Sequence, residues 1–227
     1  MTVQPKPPVR GPLLPRERRL IARLRTPADV QRYLNRLPYN DEPGGRATLR
    51  SFRGVVGHGC AHCLEAALFA AVVLEQHGYP PLVLSFESVD ELDHVIFTYR
   101  RGVRWGSVAR SRDPGLHGRR PTFATRRALA LSYFDPYVDL TGRITGYAVV
   151  NVAEMMGTYD WRLAETNIWK VERMLLDYPH RPIMSSDERV NRLRARYRAF
   201  KRQHPEKKPL YYRGRQRWTE LPGSFRV

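Results

Sequence analysis

The longest apolar stretch of the chain runs from Leu64 to Leu74, where Glu65 alone is polar. Ala and Leu dominate it, and no Pro or Gly falls between Cys63 and His77. Both are strong helix formers. A helix apolar on nearly every side packs inside a protein rather than on its surface. Gly78 and then Tyr79-Pro80-Pro81 end it, since glycine favours the left-handed turn of a helix stop and proline cannot continue a helix. The pattern predicts a buried central helix with Cys63 in or near its first turn.

Ahead of it, Thr26-Pro27 reads as N-cap and first position of a helix through Ala28, Val30, Tyr33, Leu34 and Leu37, closed by Pro38. Residues 39–45 have loop composition, and 51–56 read as a short extended segment. After Pro81, 82–86 and 94–99 are rich in branched and aromatic residues and read as strands, with an acidic loop over 88–93 between them. Arg101-Gly102 reads as a two-residue turn, which makes 103–109 a third strand antiparallel to the second and sets His94 opposite Ala109. A Gly-, Pro- and Arg-rich loop over 111–123, a short helix over 126–133 and a turn plus strand over 139–150 follow. Ala164, Ile168, Val171 and Leu175 form one helical stripe. Ser185 with Glu188 is a capping-box pattern opening a helix whose stripe is Val190, Leu193, Tyr197 and Phe200. The whole reads as an α+β fold, a buried cysteine-bearing helix on an antiparallel sheet with additional C-terminal helices. One domain spans residues 16–202, between a flexible Pro-rich arm (1–15) and a basic tail (203–227).

Composition narrows the function classes. No apolar run reaches the roughly 18 residues of a membrane span. The first twenty residues carry Pro and Arg where a secretory signal needs an apolar core. Two cysteines three apart make no disulfide framework, so the expectation is a cytoplasmic protein with reduced thiols. The formal charge is +17, from 39 Lys and Arg against 22 Asp and Glu. Such a surface attracts acidic proteins or nucleic acid.

The chemistry centres on Cys63 and His94. A thiol at a helix start meets unpaired backbone N–H groups and the positive end of the helix dipole, both of which favour the thiolate. An imidazole at the start of a neighbouring strand can hold that thiolate and protonate a leaving group. Asp93, beside it, is read as a loop charge on the other face. His62 either lowers the pKa of its neighbour or faces water, and the second reading is preferred. Cys60-Ala61-His62-Cys63 also matches a C-x-x-C redox spacing. Zinc is disfavoured, because His58, Cys60, His62 and Cys63 would crowd four ligands into six residues without a second ligand pair. No cofactor is called for.

The run from Cys63 to Gly78-Tyr79-Pro80, then Asp93-His94-Val95, then Val103 to Ala109 with Trp105, resembles in order the core of the transglutaminase-like superfamily. The resemblance covers residues 50–112 and extends to uncharacterised bacterial proteins with this core. It implies a papain-like fold and thiol-based hydrolysis or transfer of acyl groups, most often at amide bonds, with Cys63 as nucleophile and His94 as acid/base. The superfamily's next strand carries an Asp that orients the imidazole, and this chain has Ala109 at that place. Ser107, then Asp113, then Ser111 are the candidate substitutes. The departure keeps two other classes open: a catalytically degenerate module that binds an acidic partner or nucleic acid through its basic surface, and a thiol redox protein using Cys60 and Cys63.

Overall fold

The computed structural model describes residues 12–91, 93–209 and 214–225. It is α+β, with six strands and eight α-helices among those residues. In chain order these are α1 (Pro15–Arg23), α2 (Pro27–Arg36), α3 (Phe52–His58), α4 (Cys63–Glu75), β1 (Leu82–Ser88), β2 (His94–Arg101), β3 (Arg104–Val108), β4 (Arg119–Phe123), α5 (Arg126–Tyr137), β5 (Ile144–Asn151), α6 (Val152–Met156), α7 (Trp169–Asp177), β6 (Arg181–Pro182) and α8 (Asp187–Gln203). The strands form one antiparallel sheet in the order β4-β3-β2-β1-β5-β6. No helix among the described residues is long and apolar enough to cross a membrane.

Helices cover both faces of the sheet. Alternation sends Val83, Val95, Phe97, Val108 and Val150 to one side, where α4 and its flanking helices lie. Leu84, Phe86, Ile96 and Ile144 face the other, against Leu129, Tyr133 and Phe134 of α5 and Val190 of α8. Every residue of α4 from Leu64 to Glu75 is buried, as a helix with no polar stripe must be. Its far end is tied down by Arg162, which grips Glu75 with Nε at 2.7 Å and Nη2 at 2.6 Å in a buried bidentate pair.

Several expectations are corrected. Residues 52–58 are helical, not extended: Ser51 caps the helix by accepting from the Gly54 N–H at 3.2 Å, and Phe52 and Val55, one turn apart, are both fully buried. Residues 119–123, read as loop, form β4. Pro15 already opens α1 inside the expected arm, whose residues 1–11 lie outside the described residues. Ser186, not Ser185, caps α8. The β2–β3 turn is Gly102-Val103, with Gly102 at φ +56°, so Arg101 pairs with Arg104 and Phe97 with Val108. A register moved by two keeps every side chain on its face, but it carries His94 past the end of the ladder, so Ala109 is not its partner. The ladder stops because Gln31 of α2 takes both backbone groups of Ala109, accepting from the N–H at 3.0 Å and donating to the carbonyl at 2.8 Å.

Within the expected basic tail, residues 210–213 and 226–227 lie outside the described residues. Residues 214–225 lie along β4: Trp218 is buried and bridges Arg119, and the Thr219 N–H donates to the Gly118 carbonyl at 3.0 Å. Gly118 has to be glycine there. A Cβ would sit 2.2 Å from Gln31 Oε1 and 2.7 Å from the Ser107 carbonyl oxygen.

Candidate active site

Gly59, at φ +69°, ends α3 in the left-handed region. Ala61 is then pinned beside the Pro38–Asn40 segment, its N–H on the Pro38 carbonyl at 3.3 Å and its carbonyl accepting from Asn40 at 3.2 Å. The chain therefore enters α4 from a fixed point, with His62 as N-cap and Cys63 as first helical residue.

Glu65, one turn in, is fully buried. Its carboxylate accepts from the backbone N–H groups of His62 (3.0 Å) and Arg50 (2.9 Å), from Asn40 Nδ2 (3.1 Å) and from Thr48 Oγ1 (3.2 Å). Four donors on one buried carboxylate offset its loss of water. The His62 ring is held within this network: Nε2 donates to the Thr48 carbonyl at 2.8 Å and lies 3.7 Å from Glu65 Oε1.

The Cys63 sulfur takes hydrogen bonds from two imidazoles, His62 and His94. Burial pushes the thiol up, but these bonds and the charges behind them prevail and hold it at about 5. The same bond acts on His62. Burial pulls the ring down, while the Cys63 bond and the Glu65 charge raise it to about 9. A thiolate–imidazolium pair is therefore the form at neutral pH.

His94 opens β2 directly opposite Phe86 and shares its face. The two rings stack with centroids 6.2 Å apart and planes 7° apart, and Tyr133 packs against both, 6.0 Å from His94 and 5.3 Å from Phe86. His94 Nε2 lies 3.0 Å from the Leu116 carbonyl oxygen. A carbonyl only accepts, so Nε2 carries a proton, which leaves Nδ1 to donate to the Cys63 sulfur in the imidazolium and to hold the lone pair when the ring is neutral.

None of the three expected orienting side chains hydrogen-bonds that ring; each has another partner. Ser107 shares the face but stands opposite Thr98. Its hydroxyl meets Tyr133 Oη at 2.7 Å and accepts from the Arg119 N–H at 2.9 Å. Asp113 is paired with Lys208 Nζ at 2.7 Å. The Ser111 hydroxyl accepts from the Asp113 N–H at 3.1 Å. The Leu116 backbone carbonyl takes the place of the expected side chain.

Cys63 is only partly buried and lies where two clefts of about 400 and 410 Å³ meet. The first is walled by His94, Tyr137 and the 111–116 loop, the second by His62, Thr48, Trp169 and Leu176. Tyr39, Asp93 and Arg112 border both. Asp93, a loop residue, accepts from the Ser88 N–H at 3.0 Å. Eight carboxylates line the two clefts (Asp41, Glu42, Asp90, Glu91, Asp93, Asp113, Asp139 and Glu172), against Arg112, Lys208 and the His62 imidazolium. The groove opposes the +17 charge of the chain.

His62, expected to face water, instead holds the Cys63 sulfur. The signal was present: Glu65, the lone polar residue of the apolar run, stands three positions after it, as in a capping box. The second cysteine, Cys60, is a free thiol with Arg50 Nη1 at 3.2 Å from its sulfur. His58 turns away to the Gly54 carbonyl at 2.9 Å.

No protein-family model matches the chain, and comparison with curated proteins gives no match. Among solved structures it is similar to Legionella pneumophila LapG. The calcium-bound form aligns at 17% identity and TM-score 0.32, covering 40% of this chain and 57% of that one. The EGTA-treated form aligns at 12% identity and TM-score 0.36, covering 63% and 81%. These are distant likenesses.

Proposed function

We propose that the protein is a thiol-dependent acyl hydrolase or acyl transferase for amide or peptide bonds, built on a papain-like core of the transglutaminase-like class. Cys63 is the nucleophile and His94 the acid/base. The observation that carries this reading is the Cys63 sulfur between two imidazoles at the junction of two open clefts, held at about 5.

The thiolate attacks the substrate carbonyl carbon, forming a C–S bond as the π pair moves to oxygen. N–H groups of the first turn of α4, which have no partner within the helix, are the donors for that oxyanion. Collapse breaks the C–N bond. The departing amine takes a proton from the His94 imidazolium, leaving a thioester on Cys63 and a neutral ring. Water or an acceptor amine then attacks the thioester, His94 takes its proton, and the thiolate leaves. His62 stays charged throughout and holds the sulfur.

The test is alkylation of Cys63 by iodoacetamide across pH 4 to 9 in a Cys60→Ser background. A low-pKa thiolate is intrinsically less nucleophilic, so the profile is the diagnostic and not the speed. The rate rises through about pH 5 and is flat from 6 to 8, where an ordinary thiol changes about tenfold per pH unit. A midpoint in the ordinary thiol range overturns the reading. An activated ester then leaves its acyl group on Cys63, seen by intact mass, and Cys63→Ala leaves none.

A further inference from the structure

Arg119 is fully buried, and no carboxylate pairs with it among the described residues. A buried guanidinium without a counter-ion is costly, and its five donors must all be placed. Here Nη1 donates to the His117 carbonyl at 2.5 Å and Nη2 to the Gly115 carbonyl at 2.6 Å. Nε meets Ser132 Oγ at 3.3 Å, and Nη2 also meets the Ser132 carbonyl at 3.3 Å. Its two faces lie against Tyr133, 4.0 Å from the ring centroid, and Trp218, at 4.4 Å.

The two carbonyls it grips most tightly, Gly115 and His117, flank Leu116, whose carbonyl accepts from His94. Tyr133 Oη adds a second donor to the His117 carbonyl at 3.0 Å. Ser107 in turn fixes both Tyr133 Oη and the Arg119 N–H. The loop that presents one carbonyl to the imidazole is thus clamped on both sides of that carbonyl by one cation.

We infer that Arg119 is a positioning residue for His94: it clamps the 115–117 segment so that the Leu116 carbonyl orients the ring, in place of an acidic side chain. The role rests on the acyl-transfer reading for its purpose, but the clamp itself is geometric. A cation spent on two peptide carbonyls polarises them and stiffens a glycine-containing turn. Lysine, a single point donor, cannot grip two carbonyls in a planar fork.

The experiment is Arg119→Lys, with Tyr133→Phe as a milder variant that keeps the guanidinium and removes one donor. Two readouts are taken on protein whose fold is checked by circular dichroism: the ring nitrogen spectrum of His94 by heteronuclear NMR, and the pH midpoint of Cys63 alkylation. At a pH where the His94 ring is neutral, wild type shows one tautomer, protonated at Nε2. Arg119→Lys shows mixed tautomers and a midpoint raised by about one pH unit, and Tyr133→Phe moves both readouts the same way by less. If Arg119→Lys does not fold, Tyr133→Phe decides. A folded variant with wild-type tautomer and midpoint overturns the inference. An ordinary thiol midpoint in wild type, with the His94 tautomer still dependent on Arg119, instead removes the acyl-transfer reading and leaves the clamp standing.

Discussion

Glu65 meets His62 twice, at the backbone N–H at 3.0 Å and across 3.7 Å to ring Nε2. The buried carboxylate closes the first turn of α4 and adds to the larger pull of the Cys63 sulfur that keeps the imidazole charged. In Glu65→Gln the amide brings a donor among groups that already donate. The fold loses about 1–3 kcal/mol, as for an unsatisfied buried polar group, measured by urea unfolding. The His62 pKa falls below its value of about 9, read from the ring proton shift against pH. An unchanged His62 titration would remove Glu65 from the site.

The thiolate–imidazolium pair makes stability depend on pH. The thiol goes from 9.0 to about 5 on folding, and His62 from 6.5 to about 9. The depressed thiol contributes nothing below about 5 and gains as pH rises, because the unfolded chain then holds the extra proton. The raised imidazole contributes fully below 6.5 and loses its share up to about 9. Stability relative to Cys63→Ala therefore climbs between pH 5 and 6.5 and levels off up to about 9, where the two slopes oppose. Parallel curves for the two proteins would contradict the pair.

His62 and His94 separate by substitution. In His62→Gln the ion-pair partner is lost, the thiol midpoint rises, and acylation slows at pH 6 more than at pH 8. His94→Gln also raises the midpoint, but thioester breakdown slows by about 10²–10⁴, the usual scale for a general base. Acylation and deacylation rates with an activated ester distinguish the two, and equal effects on both steps would refute the division of roles.

The charge of the groove selects among reagents. With eight carboxylates outnumbering Arg112, Lys208 and the His62 imidazolium around Cys63, a cationic disulfide reagent reacts faster than an anionic one of similar leaving group, despite the +17 chain. The preference shrinks between 0.02 and 0.5 M salt as screening shortens to a few ångströms. An anionic reagent that wins at low salt would show that the overall charge outweighs the local field.

Gly118→Ala places a methyl against the Ser107 carbonyl and Gln31 Oε1. Overpacking there costs about 1–3 kcal/mol by urea unfolding. It also disturbs the hold of Gln31 on Ala109.

What the sequence disclosed followed the strength of its patterns. The α4 run is so uniformly apolar that both its burial and the position of Cys63 at its start could be read directly. The strands β1, β2 and β3 carry branched residues in runs long enough to recognise. Phe52 and Val55 offered only one helical repeat, too little to outweigh Gly54 and the branched Val55-Val56 pair. The turn at Gly102-Val103 was misplaced by one residue because Arg101-Gly102 has equally good turn chemistry, and that slip moved the expected partner of His94. The carbonyl of Leu116 could not have been found at all, since every residue has one and only the fold chooses among them. Arg119 and Trp218 are far apart in sequence, and nothing local to either predicts that they stack.

Trp218 covers Arg119 from a segment that follows every other part of the site. During synthesis, Cys63, His94 and the 115–117 loop leave the ribosome while the guanidinium is still open to water on that side. A nascent chain therefore keeps that face of Arg119 wet until residues 214–225 have come down beside β4.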